Sequence, residues 1–287
     1  MQVRLTHHAH SRDSTLLPIT DEQLGLILQY KIQLIRCEPT THFNAAGTYC
    51  TGNGILHDEF GRFHLEAWSD AEWTEFRNQF ANIVTRHWDD KFELTPNQAW
   101  YPARGPTNVT AAAVKCHLSL ELVNTAATAH HRYFIIKPRE TNFRSFAAAD
   151  RRLGLFTHRD LALGWNDRRT RVGHERHSVS YLQSTVLHEF GHTLGLGHVN
   201  GAGNSDANYG TTLEQRDDMM GMGDHLTARH ASPWRSQLRH HLVPGHNRHD
   251  AALRFTARVT APQLITYWDN DWRPTAAAPA AGAAAHP

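Results

Sequence analysis

Apolar residues recur at helical spacing between Trp73 and Trp88. Trp73, Phe76, Phe80, Ile83, Val84 and Trp88 share one face. Ser69, followed three residues later by Glu72, forms a capping box ahead of them, so the pattern predicts a helix to about Asp90 with an aromatic stripe facing a core. A second stripe, Leu182, Val186, Phe190 and Leu194 with Leu187 beside it, has a spacing of four. Ser180 and Gln183 match another capping box, which places the start of this helix at Tyr181. Ser232-Pro233 supplies an N-cap and a first-position proline for a last helix running to about His241.

The remaining pattern is strand-like. Leu118, Leu120 and Leu122 alternate with His117, Ser119 and Glu121, as in a half-buried strand. Tyr133-Phe134-Ile135-Ile136 is a continuous apolar run suited to a central strand, stopped by Pro138. Leu153 to Leu163 reads as a strand pair, and Ile55 to Trp68, around the turn signal Asp58-Glu59-Phe60-Gly61, as a β-hairpin. Leu24 to Ile35 fits a strand or a short helix, and Ala251 to Thr260 fits a strand. Pro96 to Pro106 is rich in breakers and reads as a loop. The first 18 or so residues are expected to be flexible, and the Ala/Pro-rich stretch 274–287 to be unordered.

The chain has 287 residues, 40% hydrophobic and 20% charged, as a soluble globular protein would. A net charge of +1 gives no electrostatic case for nucleic acid or an anionic membrane. No apolar run approaches the roughly 20 residues of a membrane span. The first 20 residues lack the continuous apolar core of a standard secretory signal. A cytoplasmic protein, one exported by a route that does not read such a signal, or a processed form are the expectations. Cys37, Cys50 and Cys116 have no paired spacing and make neither a disulfide framework nor a zinc ribbon. Histidine is the outlier, at 23. The clusters His7-His8-Ala9-His10 and His240-His241 read as solvated or partly buried residues of this His-rich background.

The histidines gain a role where they meet the second helix. His188-Glu189-Phe190-Gly191-His192-Thr193-Leu194-Gly195-Leu196-Gly197-His198 reads H-E-x-x-H-x-x-G-x-x-H. His188 and His192 lie four residues apart and project from one helix face, opposite the apolar stripe. Gly195 allows a left-handed turn out of the helix, so that His198 can return a third nitrogen. Three protein ligands leave one position on a tetrahedral Zn²⁺ for water, the pattern of a catalytic site. Glu189, about 100° round the helix, cannot ligate the same ion but can reach its water as a general base.

This run resembles the metzincin clan of zinc endopeptidases and is most similar to its matrixin-like members. The resemblance implies an α+β catalytic domain: a mixed twisted sheet, a zinc-binding active-site helix, a methionine turn and a C-terminal helix. It spans roughly residues 67–245, with 1–66 as an N-terminal extension and 246–287 as a C-terminal segment. It also implies one catalytic Zn²⁺ on His188, His192 and His198, Glu189 as general base, and a peptide or protein substrate paired along an edge strand, here Gly154 to Asp160. Asp217-Asp218-Met219-Met220-Gly221-Met222-Gly223 offers the methionine turn. Met220 best matches the family form and Met222 is the alternate, and the soft thioether would fill the space under the imidazoles. The position two residues after Met220 lacks the tyrosine of some branches. Cys37 invites comparison with an inhibitory cysteine, but its surroundings do not match. The loop 200–212 could shape the pocket, and could bind Ca²⁺ through Asp206, although its spacing fits no specific calcium loop.

Two rival readings remain at this level. In one, Glu214 is the third ligand, as the downstream glutamate is in gluzincins. In the other, zinc only stabilises a structural or effector component without turnover. Glu189 discriminates against the second, because a structural site has no use for it.

Overall fold

The computed structural model describes residues 5–20, 23–97, 103–104, 110–111, 113–242, 254–261 and 263–272. Strands β1 (Leu5–His8) and β2 (Asp13–Pro18) form an antiparallel hairpin that leads into the 13-residue β3 (Leu24–Arg36). Four short antiparallel strands follow: β4 (His42–Ala45), β5 (Thr48–Thr51), β6 (Ile55–Asp58) and β7 (Gly61–His64). Helix α1 (Asp70–Trp88) carries the expected Ser69–Glu72 capping box. Next come β8 (Phe92–Pro96), the short pair β9 (Ala103–Arg104) and β10 (Thr110–Ala111), β11 (Val114–Leu122), β12 (His131–Ile136), β13 (Phe146–Ala148) and β14 (Leu153–Thr157). A long ribbon of β15 (Leu163–Val172) and β16 (Glu175–Ser184) runs directly into helix α2 (Thr185–Leu194). The chain ends with the short α3 (Leu213–Asp217), α4 (Ser232–Leu242), β17 (Phe255–Val259) and β18 (Tyr267–Asp269).

The main sheet has the order β13-β14-β12-β3-β11-β8-β17. β11, β3, β12 and β14 are mutually parallel, while β13 is antiparallel at one edge. α1 makes the crossover from β3 to β11 that a parallel pair requires. Because side chains alternate along a strand, the central strands feed two cores. Tyr133 and Ile135 join Phe76, Phe80, Val84 and Trp88 of α1 and Phe190 of α2. Phe134 and Ile136 join Leu56 and Phe63 of the β4–β7 sheet on the opposite face. Burial on both faces is why the run Tyr133–Ile136 has no polar alternation. Cys37 lies in the second core, where burial pushes its thiol up to about 12.

Several expectations need correction. The first 18 residues are not a flexible segment: β2 pairs with β3, and Asp13, Ser14 and Leu16 are buried. Only 1–4 among them lie outside the described residues. Leu24 to Ile35 resolves to strand. Leu153 to Leu163 holds one strand and a turn, and β14 takes β13 and β12 as its neighbours. α2 does not begin at Tyr181, because residues up to Ser184 are held in the β15–β16 ladder and Ser180 donates to Asp167 on the partner strand. Instead the Asp160 carbonyl accepts from the Val186 N–H and the Ser184 hydroxyl, occupying donors at the helix start. The ribbon itself escaped notice because most of β15 is exposed, which removes the apolar alternation. Residues 1–66, 67–245 and 246–287 share sheets: β3 lies between β11 and β12, β17 pairs with β8, and β18 with β16. Most of Pro96 to Pro106, Ala251 to Leu253 and 274–287 lie outside the described residues. No helix among the described residues is long and apolar enough to cross a membrane.

Phe80 is wholly buried and Phe60, at the β6–β7 turn, is 62% exposed. Phe80→Ala should lower the unfolding free energy by about 3–5 kcal/mol. Phe60→Ala should change it by no more than about 0.5 kcal/mol. Urea unfolding of the two variants beside the parent measures both.

Candidate metal centre

α2 presents His188 and His192 to one side, and the chain leaves it through Gly195 in a left-handed conformation (φ 96°) whose N–H bonds to the Gly191 and His192 carbonyls. His198 folds back as a result. Its Nε2 lies 3.3 Å from His188 Nε2 and 3.0 Å from His192 Nε2. Each ring is oriented by its other nitrogen. His188 Nδ1 donates to the Met219 carbonyl (2.9 Å), His192 Nδ1 to Leu196 (2.8 Å) and His198 Nδ1 to Gly203 (2.7 Å). A carbonyl can only accept, so the proton sits on Nδ1 in all three and the Nε2 lone pairs face one another. Three such lone pairs repel unless a cation lies between them. Zn–N bonds of about 2.0–2.1 Å at tetrahedral angles separate the nitrogens by about 3.3–3.4 Å, close to the two spacings that His198 makes, and all three nitrogens lie within 4.8 Å of one another. Burial holds His188 down to about 3 and His192 to about 4, and lowers His198, so all three are neutral, as ligands must be. These three form the one group of His, Cys, Asp and Glu able to hold a metal ion among the described residues. Glu214, the rival third ligand, is exposed on α3 and has no part in it.

Glu189 faces the edge strand. Its Oε2 accepts the Ala147 N–H of β13 at 2.8 Å, which leaves Oε1 toward the cleft. Burial raises this carboxyl to about 8, with the Ala147 bond pulling the other way. A dication on the triad would lower it again.

The methionine segment forms the floor. Met219 and Met220 are wholly buried in the main core. Met220 Sδ packs against Gly191 so closely that a Cβ there would collide with it. Met222 belongs instead to a small cluster with Val179 and Tyr181, so of the two candidates Met220 is the one beneath the helix. The segment is pinned from two sides. Asp218 accepts from Arg229, His230 and the Met220 N–H. Gln183 Nε2 donates to Gly223 (2.8 Å) and Met219 (3.1 Å), so the residue expected in a capping box in fact ties β16 to the methionine segment.

Sequence reasoning gave no role to Tyr209 and did not reach Arg144 or Ala147. Tyr209 packs at a tilt against His198, with ring centroids 4.1 Å apart, and its hydroxyl accepts from Arg144 at 2.7 Å. The Ala147 N–H orients the Glu189 carboxyl. None of the three sits in a motif, and the chain brings them to the triad only through folding. Asp206, considered for calcium, is taken by Arg216 and faces Arg168, so its charge is already neutralised. Two cavities, about 580 and 670 Å³, meet at Arg144, Ser145, Glu189, Asn204 and Tyr209. Together they form a groove past the triad. The strand along this groove is β13, with β14 behind it, which replaces Gly154 to Asp160 as the edge. No protein-family model, curated protein or solved structure matches the chain.

Two outcomes follow from this packing. In the metal-free chain His188 and His192 stay neutral when folded but protonate when unfolded near pH 6.5, so protons favour unfolding. Stability should fall progressively as pH drops from about 6.5 to 4, and added zinc should move the onset to lower pH; thermal melts across pH with and without zinc read this. Gly191→Ala should cost about 1–3 kcal/mol through overpacking. Combined with Met220→Ala, it should cost less than the sum of the single changes, as a double-mutant cycle by urea unfolding would report.

Proposed function

We propose that the chain is a zinc-dependent endopeptidase of metzincin type. The observation that carries this reading is the convergence of three Nε2 atoms, each fixed by a carbonyl behind it, beside a half-buried carboxylate on the wall of an open groove. His188, His192 and His198 would hold the ion. Zinc bound there supplies Lewis acidity toward a peptide carbonyl and toward water. Glu189 Oε2 is held by the Ala147 N–H, so Oε1 takes the proton from water and returns it to the leaving amine. The substrate backbone lies extended beside β13, the edge strand, pairing by main-chain hydrogen bonds. The mixed sheet with an antiparallel edge, Met220 under α2 and the C-terminal helix α4 support the metzincin resemblance.

Metal analysis should find one zinc per chain, lost in His198→Ala and kept in Glu214→Ala; the opposite pattern removes the assignment. Glu189→Gln should keep zinc and melting temperature while peptide hydrolysis falls by about 10²–10⁴-fold, the usual contribution of one proton-transfer group. A zinc-loaded parent that cuts no peptide would favour a structural role for the metal instead.

A further inference from the structure

The β4–β7 sheet has no part in the metal centre, yet it is firmly placed beside the groove. Phe43 stacks on Phe134 of β12 at 5.3 Å, and Phe63 meets Phe143, just before β13, edge-on at 5.1 Å. In an antiparallel run of four strands, the first and third turns emerge at the same end. Here those turns are Ala46-Gly47 and Glu59-Phe60, and both open onto one cavity of about 520 Å³. The other wall of that cavity is β13 and the residues after it. Arg144, Phe146, Ala148, Asp150 and Asn204 line both this cavity and the one that contains Glu189 and His192. The groove therefore continues from the triad along β13 to the turns of the small sheet. No residue of β4–β7 lines either cavity at the triad, so contact with the small sheet requires a chain that reaches well past the reacting bond.

The chemistry at the far end is specific. Phe60 presents an exposed ring, and Asp58, Glu59 and Asp150 carry no ion pair among the described residues. Against these three carboxylates stand Arg144 and Arg151, so the lining keeps one net negative charge; Arg144 reaches away from Phe60 far enough to donate to the Tyr209 hydroxyl. An aromatic face bordered by unpaired carboxylates suits a Lys or Arg side chain.

We propose that the β4–β7 sheet is a remote substrate wall, which makes the chain selective for long extended polypeptides bearing a basic residue over Phe60. The proposal rests on the peptidase reading. To test it, peptides that the zinc-loaded full chain releases from denatured casein would be resynthesised around their cleavage sites and shortened from each end in turn. Shortening from one end only should lower kcat/KM by about fivefold once the basic residue is lost, the size of an exposed cation–π contact with its neighbouring charge. Norleucine at that position should reproduce the loss. In Phe60→Ala/Glu59→Ala the gap between long and short peptides should close, with zinc content and melting temperature unchanged, and Phe60→Trp should keep it open. Equal rates for long and short peptides, or a gap that survives in the double variant, would overturn the remote wall while leaving the peptidase intact. A chain that cuts no casein at all would instead overturn the peptidase reading.

Discussion

Three hydrogen bonds from imidazole Nδ1 to backbone carbonyl govern the centre of this molecule. They fix the tautomer and the direction of each ring, so that three lone pairs point at one another. Each acceptor belongs to a segment that must itself be held. The Leu196 carbonyl is placed by the left-handed turn at Gly195. The Gly203 carbonyl sits in a loop cross-linked by Asn208, which bonds with Asn200 and Ser205. The Met219 carbonyl is held by Gln183 and by the Asp218 network. Much of the structure downstream of β15 thus serves to aim three rings.

The sheet sets the other half of the site. Alternation along β12 sends successive side chains into opposite cores, one against α1 and α2, the other against β4–β7. Sheet, α2 and small sheet are therefore locked in one stack, and β13, at the end of that stack, meets all three. Its Ala147 N–H reaches Glu189 on α2, while Phe146 packs in the second core. A shift of the sheet by one residue would turn Ala147 away from Glu189.

Local signals were legible and distant ones were not. The capping box and aromatic stripe of α1, the run in β12, the ligand spacing in α2 and the Gly195 turn all depend on residues within a few positions of one another, and each is found where the spacing put it. Ser180 and Gln183 misled because the same side chains that cap a helix also serve a ladder and a tie to the methionine segment. In this case ten paired residues of β15 outweighed one possible cap. Arg144 and Tyr209 are 65 residues apart and become neighbours only when β13 and the loop after α2 are in place. The start of the chain read as flexible because β1 is mostly exposed and the buried positions of β2 include the polar Asp13 and Ser14.

That start has a further meaning. β3 is long because its two halves serve different partners on the same side: β12 pairs with residues 32–36 and β2 with residues 24–29. β2 is a cover. A chain trimmed ahead of Leu24, on the expectation that its start is flexible, would bare six residues of unpaired backbone on a strand rich in Leu and Ile. Such a bare edge is a template for strand addition between molecules. The histidine-rich beginning of this protein thus does for solubility what charged or proline-broken edge strands do elsewhere, and its loss would be felt first as aggregation.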